Sequence, residues 1–170
     1  IGVGCGILSI VAAKKAQEVY SVDINPCAIR CARRNAIFNG VAGKIFFVQG
    51  DLFSSFARGV EFDSILFNAP YLPSEKEESS LLERSWAGGK TGREIIDRFI
   101  DQAPEHLGSK GRILLMQSSF SNVEQTFRRF MDSGLDAKSV ASRSLPFFEK
   151  IVLIIATRRE AVKSVGQEQA

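Results

Sequence analysis

Apolar and polar positions along this chain change period repeatedly, and the changes mark out short strands alternating with helices. After a glycine turn over residues 2–6, the pattern predicts a helix over 7–15 and a strand over 18–22 that ends at Asp23. Asn25-Pro26 starts a second helix reaching Phe38, since proline suits the first helical position and asparagine the cap before it. Asn39-Gly40 closes it. The β-branched and aromatic runs 44–48 and 62–67 predict strands, followed by Gly50-Asp51 and by Asn68-Ala69-Pro70-Tyr71. Residues 72–92 show no period and carry a strongly polar stretch at 74–78, as expected of a functional loop or lid with Trp86 as an apolar anchor. A helix is predicted over 93–107, where Ile96, Phe99, Ile100 and Ala103 share one face. Gly108 and Gly111 are expected to bracket a turn into a strand over 112–117. A helix over 122–133 and strands over 137–143 and 150–157, separated by Pro146, complete the domain.

Alternating strands and helices imply a single, mostly parallel α/β domain over residues 1–158, with residues 159–170 a polar, flexible tail. Composition agrees: 45% apolar and 24% charged residues are globular proportions, neither disordered nor fibrous. No apolar run approaches the ~20 residues that span a bilayer, so no membrane association is expected. No basic segment precedes an apolar run at the start, so no secretory signal is expected either. The chain opens at Ile1-Gly2-Val3-Gly4, within a motif, which suggests that an N-terminal part is missing. The formal charge of +3 neither requires nor excludes a nucleic-acid partner. Cys5, Cys27 and Cys31 lack a disulfide spacing and have no histidine nearby to complete a metal site, so buried thiols in a reducing, cytoplasmic compartment are expected.

Four loops carry candidate chemistry, each expected at the carboxyl end of a strand, where open α/β sheets bind ligands. Gly2, Gly4 and Gly6 let the main chain approach a ligand, although alone they also fit a tight turn. The dinucleotide fingerprint fails, because Ile7 and Ser9 stand where its third glycine would fall. Asp23, followed by Ile24, can accept both hydroxyl hydrogens of a ribose; the competing role of helix cap falls more naturally to Asn25. Asp51-Leu52 can accept from an adenine amine and hold the ring, or Asp51 is a solvated loop acid.

The fourth loop is the most specific. Asn68-Ala69-Pro70-Tyr71 after an apolar strand resembles the N-P-P-Y motif of class I S-adenosylmethionine-dependent methyltransferases that methylate adenine, guanine or protein glutamine, with Ala69 where proline is usual. The order of glycine loop, two acids and tetrapeptide matches that group along nearly the whole chain. The resemblance implies a Rossmann-like fold with a mostly parallel seven-stranded sheet flanked by helices. It also implies S-adenosyl-L-methionine as cofactor, held by Gly2, Gly4, Gly6, Asp23, Ile24, Asp51, Leu52 and Asn68, and catalysis by Asn68, Ala69, Pro70 and Tyr71.

An amide nitrogen is a poor nucleophile because its lone pair is delocalised into the carbonyl. Two acceptors on its N–H bonds, the Asn68 side-chain oxygen and the Ala69 carbonyl, favour a pyramidal nitrogen. Pro70 stiffens the turn without adding an N–H, and Tyr71 offers a flat face for a planar group. No general base is needed.

The glycine-rich Trp86-Ala87-Gly88-Gly89-Lys90-Thr91-Gly92-Arg93-Glu94, leading into an apolar helix, is similar to HemK/PrmC-type glutamine methyltransferases, in particular the short archaeal and eukaryotic branch. That resemblance implies methylation of the glutamine in the GGQ loop of a class 1 peptide release factor. It also implies a small zinc-containing activator subunit as partner. A DNA or RNA amino-methyltransferase acting on adenine N6 or guanine N2 is the second reading, disfavoured by the acid-rich stretch at 74–83 that would repel phosphate. A non-catalytic, methyltransferase-like binding subunit is the third; it would not need Asp23, Asp51, Asn68 and Tyr71 together.

Overall fold

The computed structural model describes residues 1–71 and 88–159. The expected loop anchor Trp86, most of the expected lid and the expected tail therefore lie outside the described residues. In chain order the elements are α1 (Ile7–Ala13), β1 (Val19–Asp23), α2 (Pro26–Phe38), β2 (Ile45–Gln49), β3 (Phe62–Asn68), α3 (Glu94–Gln102), β4 (Leu107–Ser118), α4 (Val123–Asp132), β5 (Leu135–Ser144) and β6 (Lys150–Arg158).

β1 pairs with β2 in parallel, and a second sheet has the order β3-β4-β6-β5. β3 and β4 are parallel, whereas β6 is antiparallel to both β4 and β5. The first residues of the chain lie between the two sets. The Ile1 amino group donates to the Leu66 carbonyl of β3 at 2.9 Å, and Val3 N–H donates to the Val22 carbonyl of β1 at 3.0 Å. Among the described residues the expected seven strands are thus six plus this bridging segment. Asp23, Gly50, Asn68 and Ser118 consequently share one end of the sheet.

Local signals fix α2. Asn25 accepts from Cys27 N–H at 2.8 Å, Pro26 opens the first turn, and Gly40 follows the last with a φ of 68°. The helix packs through Ala32 and Ala36, both fully buried, and that choice of face overturns one expectation: Cys5, Cys27 and Cys31 are exposed, not buried. Small alanines let α1 and α2 come close, so Gly6 sits where an added Cβ would fall 2.9 Å from the Ala32 Cβ.

The expected helix over 93–107 is shorter. α3 ends at Gln102 and a 3₁₀ turn, Ala103–His106, follows, because Pro104 has no N–H to continue the α ladder. The expected turn at Gly108 and Gly111 is instead part of β4. The six residues from Leu107 to Arg112 pass opposite the three from Phe62 to Ser64, a bulge in which an added Cβ on Gly111 would lie 2.9 Å from the Phe62 carbonyl oxygen. Ile96, Phe99 and Ile100 of α3 close over Ile65, Phe67, Ile113, Leu115 and Ile154 to form the main core.

Candidate active site

At the glycine loop, Gly2, Gly4 and Gly6 all hold positive φ. Asp23 braces this loop, since Gly4 N–H donates to its Oδ2 at 3.0 Å and Asn25 N–H to its Oδ1 at 2.9 Å. A carboxylate has about four acceptor positions, so two remain for a ligand's hydroxyls. Asp23 therefore shapes the loop as well as facing the open sheet end, a structural role that its position in the sequence did not reveal. Ile24 beside it is 40% exposed.

After β2, Asp51 is held from a distance in sequence: Arg98 Nη2 donates to its Oδ2 at 2.6 Å. Leu52 has a φ of 50°, and its side chain is packed in the main core. Among the described residues Asp51 Oδ1 has no partner, so Asp51 can still accept one donor.

The tetrapeptide continues from β3. Ala69 N–H donates to the Met116 carbonyl at 3.1 Å, which carries the sheet ladder one residue beyond Asn68. Ala69 is buried, Asn68 is exposed, and Pro70 and Tyr71 are half-buried. The carbonyls of Pro70 and Tyr71 are covered by the glycine segment that precedes α3. An added Cβ on Gly88 would lie 2.6 Å from the Pro70 oxygen, and one on Gly92 would lie 2.3 Å from the Tyr71 oxygen. Gly92 also has a φ of 71°, so only glycine fits there. Burial raises the Tyr71 phenol above its ordinary range, and the Glu149 carboxylate raises it further. The ring is therefore neutral at physiological pH.

Arg93 holds this segment down. Its guanidinium is buried and donates through Nη1 to the carbonyls of Ser121 and Asn122 and to Thr126 Oγ1 at 3.0 Å. Nε and Nη2 both reach Asp97 Oδ1, at 3.2 and 2.5 Å. Thr126 passes the network to Gln117 at 2.7 Å. One arginine thereby joins the start of α3, the turn after β4 and the first half of α4. Sequence reasoning singled out the glycines around Arg93 but missed this network; the only signal was the arginine's place in the glycine-rich stretch.

The single histidine takes no part. His106 stacks on Phe53 with ring centroids 4.9 Å apart and meets the Val60 carbonyl at 2.8 Å, at the opposite end of β4. What gathers at the site end is a glycine turn, two strand-end carboxylates, an exposed carboxamide and a half-buried phenol. That set can hold a nucleoside bearing ribose and adenine donors, and it presents amide and main-chain acceptors beside it. The residues fit S-adenosylmethionine, which supplies an electrophilic methyl group.

This combination of fold and site is that of the class I methyltransferases. The chain belongs to the methyltransferase small domain family, whose sequence profile matches residues 1–139. It is 41% identical, over 90% of its length and 77% of the relative's, to a Methanocaldococcus jannaschii protein to which protein N5-glutamine methyltransferase activity is ascribed. It is 33% identical to methyltransferase HEMK2 of Mus musculus, over 84% of this chain and 69% of that one. Among solved structures, the E. cuniculi Mtq2-Trm112 complex superposes with a TM-score of 0.71 at 22% identity, covering 92% of this chain and 81% of that one. No helix of the described residues is long and apolar enough to cross a membrane.

Proposed function

We propose that this protein transfers a methyl group from S-adenosylmethionine to the side-chain amide of a glutamine in the GGQ loop of a class 1 peptide release factor. The observation that carries the reading is the exposed Asn68 carboxamide at the end of β3, next to an Ala69 carbonyl that takes no bond from a described residue. On this reading the two oxygens would accept the two N–H bonds of one amide. The ascribed activity of the 41% identical relative supports glutamine as the acceptor. Asp23, Asp51 and the glycine loop would hold the cofactor. Pro70 and Tyr71, fixed from behind by Gly88 and Gly92, would present the acceptor group. Orientation and electrostatics do the work, without a general base. The complex named for the E. cuniculi structure supports a small activator subunit as a partner, for which zinc content remains part of the proposal.

Transfer of labelled methyl to purified release factor, to a variant whose loop glutamine is replaced, and to DNA and RNA, run side by side, tests this. Label is expected on the release factor alone and lost with the glutamine. Label on nucleic acid instead would overturn it.

A further inference from the structure

The turn between β5 and β6 carries Leu145-Pro146-Phe147-Phe148, and its two phenylalanines are 89% and 99% exposed. Both have positive φ, 61° and 62°, a conformation that bulky side chains rarely adopt. The Leu145 N–H closes the turn on the Glu149 carbonyl at 2.9 Å. Packing against the rest of the domain does not account for rings so fully in solvent.

Topology puts this turn at the site end of the sheet. β6 is antiparallel to β4, so Ile151 pairs with Ser118 and Leu153 with Met116, which in turn pairs with Asn68 of β3. Lys150 N–H donates to Ser119 Oγ at 2.9 Å, binding the hairpin to the 3₁₀ turn Ser119–Ser121. That turn leads to Ser121, whose Cβ lies 3.5 Å from the Cβ position of Gly92, the glycine packed on the Tyr71 carbonyl. Phe120, 54% exposed, stands on the same turn. Glu149 is near enough for its charge to act on the Tyr71 phenol.

We infer that Phe120, Phe147 and Phe148 form a seat for apolar side chains flanking the acceptor glutamine on a folded protein substrate; this rests on the proposed function. An isolated amide needs only the tetrapeptide, and rings beyond it add contact only for an acceptor carried on a larger body. Phenyl rings can also stack on unpaired bases. The charge within the turn separates the two partners. Glu149, which follows the rings in the chain and whose charge reaches Tyr71, is an anion that repels a phosphate backbone, while Arg143 and Lys150 lie at the base of the hairpin. A seat of this kind holds ground state and transition state alike, so its loss acts on KM and not on kcat.

The test uses the full-length protein and the double variant Phe147→Ser, Phe148→Ser in steady-state methylation of release factor. KM for the release factor is expected to rise about tenfold, equivalent to ~1.4 kcal/mol. The turnover number, the affinity for S-adenosylmethionine and Tm are expected to stay unchanged, and Phe147→Leu, Phe148→Leu should restore most of the KM. An unchanged KM in the serine variant of an active enzyme overturns the seat and leaves the proposed function standing. A lowered Tm assigns the rings to packing within the chain and overturns it too. Loss confined to methylation of single-stranded RNA or DNA overturns it in favour of base stacking. No transfer to release factor by the wild type overturns the proposed function and the seat together.

Discussion

Arg98, in the middle of α3, donates to the Asp51 carboxylate at 2.6 Å, tying the loop after β2 to the helix that follows the glycine-rich segment. Both side chains are roughly half exposed, at 48% and 42%, so as a stabilising contact the pair contributes only about 0–1 kcal/mol. Its consequence is orientation: with Oδ2 taken, the carboxylate is held in one rotamer and Oδ1 remains for a ligand donor.

Arg98→Gln is therefore expected to leave unfolding free energy within about 1 kcal/mol of wild type. It should weaken S-adenosylmethionine binding by roughly three- to tenfold, or ~0.7–1.4 kcal/mol. Denaturant melts and calorimetric titration measure the two effects separately. Equal affinity in the two proteins would leave the pair as an ordinary surface contact.

The opposite balance is expected at Arg93. Arg93 is 5% exposed, and its guanidinium satisfies two main-chain carbonyls, a buried hydroxyl and Asp97. Removing one partner of such a buried set leaves the others unpaired, so Arg93→Met should cost about 3–5 kcal/mol. Arg93→Lys keeps the charge but lacks the planar fork that reaches several acceptors at once, and should recover only part of that. Urea unfolding midpoints check both. A midpoint close to wild type for Arg93→Met would mean that the glycine segment is held over Tyr71 by other contacts.

Arg93 and Arg98 show where reading the sequence stops. α2 was legible from end to end because Asn25, Pro26 and Gly40 act on their own neighbours. The place of the tetrapeptide at a strand end was legible because the apolar run of β3 leads straight into Asn68. In contrast, Arg98 meets a partner 47 residues away and Arg93 partners 28 to 33 residues away, pairings that no local period encodes. The exposure of Cys27 and Cys31 was illegible for the same reason, since which face of α2 is buried depends on Gly6 admitting Ala32. Gly88 and Gly92 stood out only as part of a glycine-rich stretch, and only the fold shows that they approach Pro70 and Tyr71.

Tyr71 supports a prediction about pH. Its phenol is raised above the ordinary value, first by burial and then by Glu149. A raised folded-state value means that the folded protein keeps this proton longer than the unfolded chain does. Its contribution to stability is fully present below the unfolded value of about 10 and is lost as pH rises through the folded value. Methyl transfer should show no alkaline decline from this group at pH 7–9, and Tyr71→Phe should leave that part of the profile unchanged. Tyrosine-specific ultraviolet titration of Tyr20→Phe, which leaves Tyr71 as the only tyrosine, checks the direction. A midpoint below the ordinary tyrosine range would contradict it.

The chemical step turns on Asn68. Under the proposed function its oxygen accepts from an amide N–H that becomes more acidic as the nitrogen gives up conjugation, so the contact strengthens towards the transition state. An interaction made mainly then lowers the barrier and contributes little to holding the cofactor. Asn68→Ala should bind S-adenosylmethionine nearly as wild type does while losing about 10²–10³ in turnover, the scale of removing one preorganised donor from an oxyanion site. Tyr71→Ala should instead raise the acceptor KM as well, because its ring supports the planar group before and during the reaction. Ala69→Pro tests whether the second acceptor is main chain: it keeps the carbonyl, but it removes the N–H that donates to Met116 at 3.1 Å. Ala69→Pro should accordingly lose stability by about 1 kcal/mol for that hydrogen bond while keeping turnover within a few-fold of wild type. Single-turnover transfer from the saturated complex is the measurement that isolates these effects. A near-normal rate for Asn68→Ala there would reduce the tetrapeptide to a structural turn and remove the amide-methylating chemistry assigned to it.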